Sequence, residues 1–139
     1  MKLIIVAIIT FVGVHASAQV ASLQLKNGWM YSADSGMITG AFLTIQNRSP
    51  QPDTIIAAIA ECAEHTEIHT TVRNEDGTMG MRPIPELIVP SRGSLVLKPR
   101  SLHIMLYHLR KTLRPGDRCI LFLRSKRHGT LKTELIVRR

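Results

Sequence analysis

The chain has 139 residues, with 18 Lys and Arg against 10 Asp and Glu, a formal charge of +8 and aromatic residues at only 4%. A basic balance of this kind suits nucleic acid, an acidic protein or an anionic membrane surface, or serves solubility alone. So few aromatic rings leave little for base stacking, and the exported character of the N-terminus further excludes a nucleic-acid reader.

That N-terminus is the first element. "MKLIIVAIITFVGVHASA" carries one basic residue, Lys2, an apolar run from Leu3 to Val14, and Ala16-Ser17-Ala18. The order is that of a secretory signal peptide with small residues where a signal peptidase cuts. The run is shorter than the ~20 apolar residues that span a bilayer, and no cysteine follows it to carry a lipid. Residues 1–18 are therefore read as a cleaved signal and 19–139 as one domain without stable membrane insertion, Gln19 being the new N-terminus. A retained anchor is the weaker alternative. Losing Lys2 leaves a formal charge of +7.

Beyond it, short runs with period-two alternation follow one another. They are "SLQLKN", "GAFLTIQN", "TIIAAIA", "TEIHTTVR", "TMGMRPI", "LIVP", "GSLVLKP", "LHIMLYHL", "RCILFLRS" and "LKTELIVRR". The turn clusters "NRSPQPD", "NEDG", "PSRG" and "RPGD" separate several of them. No stretch has a helical period with caps, so the sequence predicts an all-β antiparallel sandwich or barrel. Cys62 and Cys119 can pair in an oxidising compartment or stay as buried thiols; spacing decides neither.

The "NEDG" hairpin fixes a register. Gly77 stands where a three-residue loop wants a left-handed residue, so Glu75-Asp76-Gly77 forms the loop and Asn74 pairs with Thr78. Thr71 then falls opposite Met81, and His69 lies diagonal to Met81 on the same face. In "SLHIMLYH", Leu102, Ile104 and Leu106 form the apolar face, while His103, Met105 and Tyr107 point the other way. Twice, then, a His and a Met share a strand face that the apolar residues avoid.

His69, Met81, His103 and Met105 are the candidate metal ligands. Imidazole with thioether is a soft, uncharged donor set that suits cuprous copper and binds hard cations poorly. Any one of the four is more ordinarily a core Met or a hydrogen-bonded His; the weight lies in their combination. The spacing resembles the periplasmic copper chaperone family of the PCu(A)C type. His69 is followed by Thr70 and ten more residues before Met81, and twenty-one residues then lead to His103-Ile104-Met105. "LKNGWM" with Trp29, "GAFLTIQN", "EIH", "GTMGMRPI", "LKP" and "LRPGD" extend the resemblance over nearly all of the domain.

The resemblance implies a Greek-key β-sandwich of cupredoxin-like type and Cu(I) bound near one end. It also implies delivery toward cytochrome c oxidase subunit II, sometimes with a thiol-bearing partner; with the signal peptide, the chain is read as a monomeric periplasmic Cu(I) carrier. Thr70 and Thr71 depart from the family pattern by lacking a supplementary thioether. Pro99-Arg100-Ser101 replaces a glycine-rich turn, which puts Arg100 near a cationic site, either weakening copper modestly or forming part of a docking surface. His65 and Met79 are secondary candidates, Met30 and Met37 could help capture copper or simply pack, and His108, with core-facing parity, and His128 have no assigned role.

An electron-transfer cupredoxin needs a Cys followed closely by His and Met, which Cys119 lacks. An enzyme is disfavoured because no paired carboxylates and no nucleophile with a base can be assembled. A copper scavenger or buffer, and a metal-free interaction module with incidental His and Met, stand as alternatives.

Overall fold

A computed structural model describes residues 21–139; the signal-peptide reading and the Gln19 terminus lie outside the described residues. Ten strands and no helix appear among them: β1 Leu23–Tyr31, β2 Thr39–Asn47, β3 Asp53–Ala60, β4 Ala63–Arg73, β5 Met79–Pro83, β6 Leu87–Val89, β7 Gly93–Val96, β8 His103–Leu109, β9 Arg118–Ser125 and β10 Gly129–Arg138. Each of the ten alternating runs has become a strand. No described helix is long and apolar enough to cross a membrane.

The strands hydrogen-bond in the order β5-β4-β8-β2-β1-β10-β9-β3-β6, with β7 also on β2. All pairings are antiparallel except β1 with β10. The sheet folds over on itself, and the inner faces of both halves meet in one core. Ile68, Ile104, Leu106, Leu43 and Ile45 come from one half; Ile55, Leu121, Leu123 and Leu135 come from the other. Each fully buried side chain of this kind contributes about 1.5–3 kcal/mol over exposure.

Two local irregularities decide which side chains face outward. Asn27 has a φ of 54°, and the β1–β2 register shifts between Lys26 and Trp29. This bulge exchanges the faces of β1, so Met30 is fully buried in the core and Trp29 lies on the outer face. Met30 therefore packs and is out of reach for copper capture, whereas Met37 is exposed. His108, with a φ of 54°, does the same to β8. Leu109 is buried and His108 is exposed, against the even-position parity expected for it.

Cys62 and Cys119 form a disulfide with Cα atoms 5.8 Å apart, which settles the choice the sequence left open. The bond ties the β3–β4 turn to β9 across 57 positions, and closing a loop of that length stabilises the fold by about 4 kcal/mol in the chain-entropy account. A polar network ties the opposite end. Asp53, fully buried, accepts hydrogen bonds from Ser125 Oγ at 2.5 Å, His128 Nδ1 at 2.6 Å and the Thr54 amide at 2.6 Å. His128 Nε2 in turn accepts from the Ser22 hydroxyl at 2.5 Å. A serine, a histidine and an aspartate are thus joined after all, contrary to the sequence expectation. Their bonds hold the start of β1, the start of β3 and the β9–β10 turn together. Burial pushes the Asp53 carboxyl up, but the donors from Ser125, His128, Thr54 and Arg127 outweigh it and leave it below the usual carboxylate range.

Candidate metal centre

The four predicted ligands lie on one outer face, spread over β5, β4 and β8. The "NEDG" loop closes as expected: Gly77 has a φ of 84°, Gly77 N–H donates to Asn74 O, and Asn74 N–H donates to Thr78 O at 2.8 Å. Thr71 therefore pairs with Met81, and on the other side of β4 His69 pairs directly with His103. Met105 follows His103 on the same face, opposite Gly40 of β2. The missing side chain at Gly40 leaves room there; a Cβ would come within 3.1 Å of the Phe42 ring.

The two imidazoles are more enclosed than a solvent-facing strand predicts. His69 is 6% exposed and His103 4%, with ring centroids 5.7 Å apart. An outer aromatic layer accounts for part of this. Trp29 and Phe42 centroids are 4.5 Å apart, Tyr31 packs edge-on to both, and Phe42 lies 6.4 Å from His103. Tyr107 covers His69 from the other side at 6.3 Å.

Each imidazole uses one nitrogen and leaves the other free. His69 Nε2–H donates to Glu67 Oε2 at 2.7 Å, and the Tyr107 hydroxyl oxygen lies 3.3 Å from the same nitrogen. His103 Nδ1–H donates to the Ser101 carbonyl at 2.8 Å, which also accepts from the Thr71 hydroxyl at 3.1 Å. These bonds fix both tautomers and leave a lone pair on His69 Nδ1 and His103 Nε2. Those two nitrogens are the buried side-chain polar atoms without a hydrogen-bond partner among the described residues. A buried acceptor left unpaired costs about 1–3 kcal/mol, a cost a bound cation would remove.

Glu67 also accepts from His65 Nε2 at 2.9 Å. The hydrogen bonds from His69 and then His65 hold its carboxyl at about 2, so it stays ionised at every ordinary pH. Burial, and then the Glu67 charge, pushes the Tyr107 phenol up. His65 itself is exposed and stands behind Glu67, with its ring 5.6 Å from Tyr107. Glu67, Tyr107 and the Ser101 carbonyl escaped the sequence reading. Strand parity could have found the first, since Glu67 alternates onto the face of His69 in "EIH".

His103 lines a cleft of about 560 Å³ together with Met105, Met81, Met79, Thr71 and Arg100, whereas His69 lies outside that lining. Met81 is 57% exposed and Met79 61%, so two thioethers stand at the mouth, while Met105 is half-buried deeper in.

The sequence profile of LpqE-like lipoproteins matches residues 23–137, the whole of the ten-stranded domain apart from its last residues. The chain belongs to the LpqE-like family. Both cysteines of this LpqE-like chain are joined to each other, so neither is available to a thioether-linked lipid. No curated protein sequence matches it. Among solved structures it is similar to the apo PCuAC domain from PmoF1, at 19% identity over 86% of this chain and 96% of that one, with a TM-score of 0.72. The copper-bound PCuAC domain from PmoF2 is 14% identical over 86% and 94%, with a TM-score of 0.70. The solution structure of Cu(I)-DR1885 from Deinococcus radiodurans is 26% identical over 88% and 83%, with a TM-score of 0.67. The LpqE-like chain thus has the cupredoxin-like β fold of PCuAC domains, as its motif spacing led one to expect.

Proposed function

We propose that this chain is an exported, monomeric Cu(I) carrier, with copper as its cargo. The observation that carries the reading is the pair of buried imidazole nitrogens without partners, His69 Nδ1 and His103 Nε2, on adjacent rings of which His103 lines a cleft with Met81 and Met105. Two imidazoles held as neutral tautomers supply σ-donor nitrogens, and Met81 and Met105 complete a soft set without adding charge. Such a set favours Cu(I) over Cu(II), needs no thiolate in an oxidising compartment, and leaves the thioethers as exchangeable positions. Among the described residues no group of three His, Cys, Asp or Glu side chains is placed to hold a metal ion, and this reading assigns the further donors to the methionines. The copper-bound forms of the PmoF2 domain and of DR1885 support the same cargo.

Glu67 and Ser101 act through the imidazoles, holding each ring so that its second nitrogen is free when the ion arrives. Delivery toward cytochrome c oxidase subunit II, alone or with a thiol-bearing partner, is what the PCu(A)C resemblance implies, and periplasmic residence after cleavage behind Ala18 rests on the signal-peptide pattern of residues 1–18. An anaerobic Cu(I) titration of residues 19–139 against a chromophoric chelator tests the reading. One tight equivalent is expected, weakened by Met81→Ala and by His103→Ala; uptake at background level, or unchanged in both variants, sinks it. Transfer to the apo copper-binding domain of subunit II then separates a chaperone from a buffer, which would hold its copper.

A further inference from the structure

The turn that precedes β8 contains a residue that neither the backbone nor the cargo explains. Ser101 N–H donates to Lys98 O at 3.2 Å, with Pro99 second in the turn and Arg100 third at a φ of 62°. That is the type II pattern, whose third position takes glycine because an L side chain there costs about 1–2 kcal/mol. Arginine is kept at that cost. It lines the cleft together with His103, Met79 and Met81, and it has no ion-pair partner among the described residues. A guanidinium beside a bound cation can only repel it. Strain at a non-glycine residue next to a site points to a task for the side chain, and a free, exposed guanidinium at the edge of a cleft recognises a carboxylate.

The rim around Arg100 is apolar. Tyr31, Ile38 and Met79 line the same cleft and are all exposed, in a chain of formal charge +8. We propose that Arg100 and this rim form a docking site for an acidic polypeptide segment of the copper acceptor. Its carboxylate pairs with the guanidinium while its apolar residues cover Tyr31 and Ile38. The inference rests on the copper reading and adds a partner chemistry to it. Docking brings the acceptor's soft donors to the exposed thioethers of Met81 and Met79. The ion exchanges donors and remains Cu(I), so no electron moves and no oxidant or reductant is needed. Pairing with a carboxylate neutralises Arg100 only while an acceptor is present.

Stopped-flow transfer of Cu(I) from the loaded chain to two chelators tests the charge, with bathocuproine disulfonate as the anionic probe and neocuproine as the uncharged one. Arg100→Gly, which relaxes the turn, is expected to slow transfer to the anionic chelator roughly three- to tenfold at low salt, and Arg100→Glu further. Loss of the repulsion on the bound ion slows release to both chelators alike. With neocuproine the variants should therefore be slowed less than with the anionic probe, and the difference between the two probes should vanish near 0.5 M salt. Equal rates in all three proteins, or equal slowing with both chelators, overturn the proposal. A wild-type chain that takes up no copper fails earlier, at loading, and sinks the copper reading instead. For the polypeptide, NMR titration with hexaglutamate should shift Tyr31, Ile38 and the Pro99–His103 turn in wild type and not in Arg100→Glu. Shifts confined to other surfaces, or none, overturn it.

Discussion

Two sets of histidines sit in this sandwich, and their nitrogens are treated differently. At one end His128 has both ring nitrogens engaged, Nδ1 by Asp53 and Nε2 by Ser22. At the β4–β8 pair, His69 and His103 are more enclosed, yet each keeps one nitrogen without a partner. A histidine used for architecture saturates its ring. A histidine kept for a ligand is half saturated, and the bond it does make holds the other nitrogen ready. Burial alone does not separate the two; the hydrogen-bond census does.

The comparison breaks most sharply on His103→Ala. Its Cu(I) affinity should fall by more than the roughly 10–100-fold that losing a supporting partner costs, with the melting temperature little changed. Competition with a chromophoric chelator measures the first and circular dichroism the second; a variant that melts early but keeps copper would make His103 architectural. Glu67→Ala, which frees the His69 ring without touching a proposed donor, should cost about 10–100-fold in affinity by the same titration. His128→Ala is the converse. It should lose about 1–3 kcal/mol of unfolding free energy in urea, because buried Asp53 keeps fewer donors, and leave Cu(I) affinity at wild type. Any copper defect there would erase the distinction.

The smallest effect is in pH. Asp53 is held below its ordinary value of 3.8, so the folded state binds its proton less readily than the unfolded state does. The stability this confers is complete above that ordinary value and is lost as pH falls below it, through the folded-state value. Acid unfolding followed between pH 5 and pH 2 should therefore be less steep in Asp53→Asn than in wild type.

Much of the site was legible because its geometry is local. Gly77 sets the loop, the loop sets Thr71 opposite Met81, and alternation puts His103 and Met105 on one side of β8. What brings His69 against His103 is a pairing between strands separated by three others in sequence, and only the family spacing pointed to it. The enclosure of the imidazoles was hidden for the same reason, since Phe42 and Trp29 reach that face through β2 and a bulge in β1. The parity error at His108 and the inward turn of Met30, which the sequence left open between capture and packing, both trace to left-handed residues that are not glycine, His108 itself and Asn27. Sequence alone does not announce those. Ser22, Asp53 and His128 come from three distant segments, and no short-range pattern joins them.

β5 is an edge strand, bonded only to β4, whereas β4 and β8 are paired on both sides. Amide exchange should therefore be faster in β5 than in β4 or β8, since an edge strand can open without global unfolding while the two interior strands cannot. Met81 rides on the strand that opens; His69 and His103 ride on the ones that do not. Under thermal motion such a site comes apart in sequence, shedding a thioether while its imidazoles stay in place. Cargo held by the proposed ligands would be released by loosening one hem of the fabric.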